Sequence, residues 1–311
     1  MKVASLYGHV PKKRLLTPDT KWPLPRCHIG LEWEFENGPW LRKAIMEDKS
    51  NTYFQLHEDG SLRDAPVEVT TAGDGLFGED LSTAIDLLDK HIKALTYPPV
   101  CNYRTGFHVH LDIRDMEEKE LHNLIILYCF LEKPIFNFVG LDRWKSNFCV
   151  PWFRSDTQFD VLKMIENVDT GSQGLRDAAA ISIKSLSRYS ALNCQSIAKF
   201  GTLEFRHMQN DLAEIKTRQV EFIKLIMHLK RLASLNFERG YHGPAFFDKL
   251  KDMTPYDLIR DLGFNLTTNE WDYPESLMRA VGLVNWKPKK GTLFFYDAIF
   301  DRFTGNHPNY K

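Results

Sequence analysis

Residues 27–35, CHIGLEWEF, alternate apolar and polar side chains, with Cys27, Ile29, Leu31, Trp33 and Phe35 in odd positions and His28, Gly30, Glu32 and Glu34 in even ones. Successive side chains of a strand point to opposite faces, so this spacing predicts a half-buried strand with Glu32 and Glu34 side by side on its polar face. The same rule places His108, His110 and Asp112 opposite Phe107, Val109, Leu111 and Ile113. It also sets Glu68 and Thr70 against Val67 and Val69, and Thr202, Glu204 and Arg206 against Leu203 and Phe205.

Helical periodicity appears at 79–95, where Leu81, Ile85, Leu88, Ile92 and Leu95 recur at three and four, at 117–130 with Asp115 as the expected N-cap, and at 212–235. Short strands interleaved with such helices predict an α+β fold. Prolines at 11, 18, 23 and 25 predict an extended arm outside the core over 1–25, and prolines after Gly240 limit helix length. The expected layout is that arm, a catalytic domain over 26–238 and an accessory lobe over 239–311. The aromatic groups at Trp152–Phe153 and Phe294–Tyr296 read as core or interface.

If the apolar faces share one core, Glu32, Glu34, Glu68, His108 and Glu204 converge on the opposite face of a single sheet. Two carboxylates ~5 Å apart repel by roughly 3 kcal/mol at an effective dielectric near 20, so such a cluster raises carboxyl pKa values or recruits cations. Oxygen donors with one imidazole suit Mg²⁺ or Mn²⁺ better than zinc, and the number of acids exceeds the need of one ion. Magnesium in that number points to a nucleoside triphosphate, yet the chain has neither the G-x-x-x-x-G-K-[ST] loop nor the G-x-G-x-x-G fingerprint.

Plainer readings exist for each group. Glu32 and Glu34 also fit a solvated strand face, His108 and His110 ordinary strand histidines, Glu204 with Arg206 a surface ion pair, and Asp59 the turn signal Asp-Gly-Ser. The recurrence of acid or histidine on the same face of several strands favours a metal site over these.

GLEWE (30–34), DGS (59–61) followed by Glu68, GFHVH (106–110), RYSALN (188–193) and TLEFRH (202–207) resemble, in this order, the motifs of the amidoligases. These are carboxylate-amine ligases grouped with glutamine synthetase and glutamate-cysteine ligase. The resemblance spans about 26–235 and implies a curved antiparallel half-barrel sheet packed with helices that holds ATP and Mg²⁺ on its concave side; the tail beyond it is expected to be a mainly helical C-terminal extension. It implies that a carboxylate and an amine, such as an amino acid or peptide, are joined through an acyl phosphate. Glu34 and Glu68 would share one ion, and Glu32, His108 and Glu204 the other. Arg206 and Arg188 would act on the transferred phosphate. His110, Arg143, Asn147 and Asn193 would bind nucleotide or substrate, Arg143 and Asn147 through the R-x-x-N-like segment 143–147. Asp59 and Asp112 are candidates for the base that deprotonates the amine. Two other readings of the same acids and histidines are a metal-dependent hydrolase and a non-catalytic metal- or nucleotide-binding protein.

Composition narrows the setting. With 43% apolar and 26% charged residues and a net charge of −1, no global positive field draws the chain to nucleic acid or anionic membrane. No apolar run approaches a membrane span or a secretion signal, and five dispersed cysteines without a C-x-x-C pair fit neither a disulfide framework nor a thiolate zinc site. The expected compartment is the cytoplasm.

Overall fold

The computed structural model describes residues 1–13, 21–24, 26–140, 143, 146–152, 161, 165, 183 and 186–251. Its centre is a six-stranded open sheet in the order β2-β3-β1-β4-β6-β5, with β1 Ile29–Phe35, β2 Phe54–His57, β3 Val67–Thr71, β4 Gly106–Asp112, β5 Leu192–Asn193 and β6 Thr202–Gln209. Every neighbouring pair is antiparallel, and β1 and β4 lie in the middle of the order. The helices are α1 Val3–Leu6, α2 Pro39–Glu47, α3 Gly78–Lys93, α4 Glu118–Val139, α5 Gln195–Phe200, α6 Arg218–Glu238 and α7 Gly243–Lys251, with a 3₁₀ turn at Leu212–Glu214.

The predicted apolar positions form the core: Ile29, Leu31, Trp33, Phe35, Val67, Val69, Phe107, Val109, Leu111, Leu203 and Phe205 are all buried. Helix α6 packs on β4, and α4 packs on both β6 and α6. The Trp33 indole N–H, fully buried, donates to Gln219 Oε1 of α6 at 2.8 Å, which satisfies the polar end of the largest side chain on β1. The result is a sheet with one greasy face under helices and one polar face left to chemistry.

Several elements differ from expectation. The second predicted helix is capped by Glu117, not Asp115: Glu117 and Glu120 form a reciprocal capping box, the geometry that a carboxylate at the N-cap and a Glu at N3 favour. Asp115 instead accepts from the buried Lys230 ammonium at 2.5 Å. The third predicted helix is interrupted, a 3₁₀ turn capped by Asp211 preceding α6. The stretch read as an extended arm outside the core contains α1 and places Val3, Ala4, Trp22 and Leu24 in buried positions, because these apolar side chains find the edge of the same core. Trp152 is buried as expected. Phe153, Phe294–Tyr296 and all of the predicted accessory lobe beyond residue 251 lie outside the described residues. Among those described, no helix is long and apolar enough to cross a membrane, and the five cysteines are unpaired.

Truncation of Trp33 removes a large buried ring and takes from Gln219 Oε1 the indole N–H it accepts from. Trp33→Ala is expected to lower unfolding free energy by about 3–5 kcal/mol, read as a lower urea midpoint; a loss under about 1 kcal/mol would contradict this account of the core.

Candidate metal centre

Strand register gathers the polar side chains. Glu34 lies across from Glu68 of β3, Glu32 across from His108 and Gly30 across from His110 of β4, His110 across from Glu204 of β6, and Glu204 across from Asn193 of β5. Five strands therefore deliver acids, imidazoles or an amide to one face, two each from β1 and β4 and one each from β3, β5 and β6.

Two donor groups result. Glu32, His108 and Glu204 offer ligand atoms that all lie within 4.8 Å of one another, and so do Glu34, Asp59 and Glu68. His108 Nδ1 stands 3.1 Å from Glu32 Oε2 and 3.5 Å from Glu204 Oε1, and its Nε2 is 3.8 Å from Glu34 Oε1. That Nε2 is buried without a hydrogen-bond partner among the described residues. One imidazole thus stands between the two groups.

Asp59 reaches the second group from the loop between β2 and β3. It makes the expected turn, its Oδ1 accepting from the Ser61 amide at 2.7 Å, and its place beside Glu34 and Glu68 is one that the sequence alone does not offer. Asp112, the other base candidate, is not in either group: Arg114 grips it through Nε at 2.9 Å and Nη2 at 3.1 Å, and Lys12 lies 3.3 Å away. Burial alone would raise this carboxyl, but the Arg114 hydrogen bonds and the Lys230 charge hold it below its ordinary value, so it is a poor proton acceptor.

The remaining expected residues divide. Asn193 donates to Glu204 Oε2 at 2.6 Å, and Arg206 donates to Glu204 Oε1 and, through Nε, to the Phe148 carbonyl at 3.2 Å. His110 Nε2 is 3.0 Å from Glu32 Oε1, and its Nδ1 meets Thr202 at 3.0 Å. Arg143 is buried, anchored by Nη1 to the Tyr103 carbonyl at 3.1 Å, while Nε and Nη2 have no partner among the described residues. Arg188 and Asn147 are exposed; the Arg188 guanidinium lies over the Tyr189 ring at 5.0 Å, and neither side chain joins the donor groups.

Two backbone features make the cluster possible. Between Phe107 and Val109 the β4–β6 register slips, so that Arg206 and His207 together oppose His108. Such a bulge breaks the alternation locally: Arg206 keeps the polar face that a period of two gives it, while His207 and Met208, consecutive in sequence, are both buried, with His207 3.1 Å from the Tyr128 hydroxyl and its imidazole pushed down to about 3 by burial and then by Arg143. The second feature is Gly106. A Cβ there would sit 2.3 Å from His108 Nε2 and 3.0 Å from both Arg143 Nη2 and Glu34 Oε2, and its own amide donates to Glu34 Oε2 at 2.5 Å. Only a residue without a side chain lets these three groups approach.

Electrostatics separate the acids. Burial would raise Glu32 and Glu204, but His110 and His108 beside them, with Arg206 for Glu204, hold both below the ordinary carboxylate range, Glu32 well below. Burial also opposes the charge of His110, which Glu32 and Glu204 nevertheless push up. Glu68 has no such cation. Burial, then repulsion from Glu32, Glu34, Asp59 and Glu204, pushes it up to about 8. A carboxylate group that must share a proton in the absence of a counter-ion is suited to a divalent cation, and the all-oxygen set Glu34, Asp59 and Glu68 fits a hard ion such as Mg²⁺. The mixed set Glu32, His108 and Glu204 suits Mg²⁺ or Mn²⁺.

Two expectations follow from this geometry. Glu68 holds its proton to about pH 8 in the folded chain, against 4.5 ordinarily, so its stabilising contribution is complete below that lower value and is lost as pH climbs through about 8. In chelator, Glu68→Gln should flatten the decline of melting temperature over that window; parallel slopes for the two proteins would contradict the assignment. Gly106→Ala should keep the far-ultraviolet spectrum of the fold yet weaken Mn²⁺ binding at least tenfold, and unchanged binding would show that the three groups around Gly106 do not act together.

No curated protein matches the chain. Residues 78–222 match the model of a family described as "Putative amidoligase enzyme". The matched span contains His108, His110, Arg143, Asn193, Glu204 and Arg206, and the sheet register supplies Glu32, Glu34 and Glu68 from strands before it. Over this segment, which includes β4, β5, β6 and the helices between them, the chain is similar to the amidoligases.

Proposed function

We propose that this chain is an ATP- and Mg²⁺-dependent carboxylate-amine ligase that forms an amide or isopeptide bond through an acyl phosphate, working in the cytoplasm. The observation that carries the reading is the pair of adjacent donor groups joined by His108, dominated by carboxylates, with the buried Arg143 and the half-buried Arg206 beside them. Divalent ions held there would bridge phosphate oxygens and take up charge during phosphoryl transfer. Glu34, Asp59 and Glu68 would hold one ion, and Glu32, His108 and Glu204 the other.

The chain's own cations complete the site. Arg206 is fixed by Glu204 and by the Phe148 carbonyl, so its guanidinium is oriented before any ligand arrives. Arg143 has two donor atoms without a partner among the described residues in a buried setting, where a charge-assisted hydrogen bond to an anionic oxygen is worth more than at the surface. Together they can orient a phosphate group and stabilise negative charge on it. The polar face offers no P-loop, so the sheet itself would bind the nucleotide.

The donor set also argues against a hydrolase of the zinc type, which favours histidine and cysteine over carboxylates. The test is ADP release with Mg²⁺ across panels of carboxylates and amines, with hydroxylamine added to trap an activated acyl group. A ligase produces ADP only when both substrates are present and yields a hydroxamate; product release from an amide or ester without ATP would indicate the hydrolase, and ligand binding without turnover the non-catalytic protein. Glu34→Gln and Glu204→Gln are each expected to reduce ADP formation more than a hundredfold with the fold intact, and undiminished turnover in either would remove the proposed metal site.

A further inference from the structure

Glu36 continues the alternation of Glu32 and Glu34 one step beyond the end of β1, yet it belongs to neither donor group. It is buried, and its carboxylate is shared by two loops. Oε1 accepts from the Arg63 amide at 2.9 Å, and Oε2 accepts from Asn102 Nδ2 at 2.6 Å. Arg104 Nε lies 3.7 Å from Oε1. The backbone of Glu36 is fixed as well, exchanging hydrogen bonds of 3.0 and 2.7 Å with Val100.

Each loop carries a part of the centre. The loop with Arg63 also carries Asp59, and it turns back through Asp64 and Ala65, both at positive φ near 50°. Non-glycine residues in that region cost conformational energy and persist only where surrounding contacts fix them. Here the fixing contacts are the Glu36 carboxylate and two neighbouring amides, Asn37 N–H to Asp64 O at 2.7 Å and Gly38 N–H to Ala65 O at 3.0 Å. The other loop carries Tyr103, whose carbonyl anchors Arg143. One buried carboxylate therefore ties the loop that brings Asp59 to the loop that orients Arg143.

We propose that Glu36 is a positioning residue that sets Asp59 and Arg143 relative to each other across the second donor group. This rests on the two-cation reading of the site. Without the carboxylate, Asp59 loses the outer support of its turn, while Glu32, His108 and Glu204 keep their strand register. The consequence is selective: one ion weakens and the other does not. A general loss of stability would weaken both.

The test compares Glu36→Ala and Glu36→Gln with wild type in the full chain, using Mn²⁺ titration followed by electron paramagnetic resonance and amide hydrogen exchange of the metal-free protein. Glu36→Ala should weaken one of two Mn²⁺ ions at least tenfold, leave the other within twofold, and speed exchange in 59–64 and 102–105 at least tenfold with β1 and β4 unchanged. Combining it with Asp59→Asn should weaken that ion no further than Asp59→Asn alone. Glu36→Gln can still accept from the Arg63 amide but not from Asn102, whose Oδ1 is committed to the Arg104 amide at 2.8 Å; it should loosen 102–105 and spare 59–64. Equal weakening of both ions, or loop exchange at the wild-type rate in Glu36→Ala, overturns the proposal. Failure of wild type to bind paired Mn²⁺ would defeat the cation reading itself, and unaltered loop exchange would then also defeat the clamp.

Discussion

Repulsion among carboxylates on one face of a sheet is the constraint around which this molecule is arranged. Glu32, Glu34 and Glu68 come from the adjacent strands β1 and β3, Glu204 from β6 with β4 between, and Asp59 from a loop. Their mutual energy would be several kcal/mol in a partly dry site. The fold answers it unevenly. Near β4 and β6 the histidines and Arg206 neutralise Glu32 and Glu204, whereas at β3 no cation among the described residues offsets Glu68, whose carboxyl is pushed up to about 8. The unneutralised end is where a divalent ion has most to gain, because its two charges relieve the repulsion that otherwise makes Glu68 hold a proton.

The neutral half of the sheet makes this tolerable. Burial of Trp33, Phe35, Phe107 and Phe205 under α4 and α6 provides the hydrophobic stabilisation that holds β1, β4 and β6 in register despite the charge on their other side. The bulge in β4–β6 and the bare Cα of Gly106 are local departures from regular pleating that allow Arg206, Arg143, His108 and Glu34 to approach one another. Irregularity is concentrated where groups must meet, which is where strain and bulges commonly sit.

Periodicity made the strands and their polar faces legible: the alternation at 27–35 and 107–113 places Glu32, Glu34, His108 and His110 on the face where they are found, because a period of two admits only two directions. The edge strands β2 and β5 were not legible, being four and two residues long, too short for alternation to stand out. Asp59 was readable as a turn residue or a candidate base but not as a neighbour of Glu34 and Glu68, since nothing local tells that its loop folds toward them. The N-cap of α4 went to Glu117 because Asp115 is drawn to Lys230, a residue 115 positions away. Arg188 and Asn147 show the opposite limit: a motif position identified them, and the chain leaves both side chains exposed.

What the chain's residues determined by themselves was direction: which side chains of each strand face the core and which face the chemistry, together with the family to which the motifs are similar. What only the tertiary structure decided was adjacency. Strand order sets β1 between β3 and β4, so that His108 stands between two acid groups; the register slip buries both His207 and Met208; and Glu36 ties together loops that are distant in sequence. Direction is fixed by local backbone geometry, which a few residues encode. Adjacency depends on long-range pairing selected by burial of the whole apolar face, which no single segment contains.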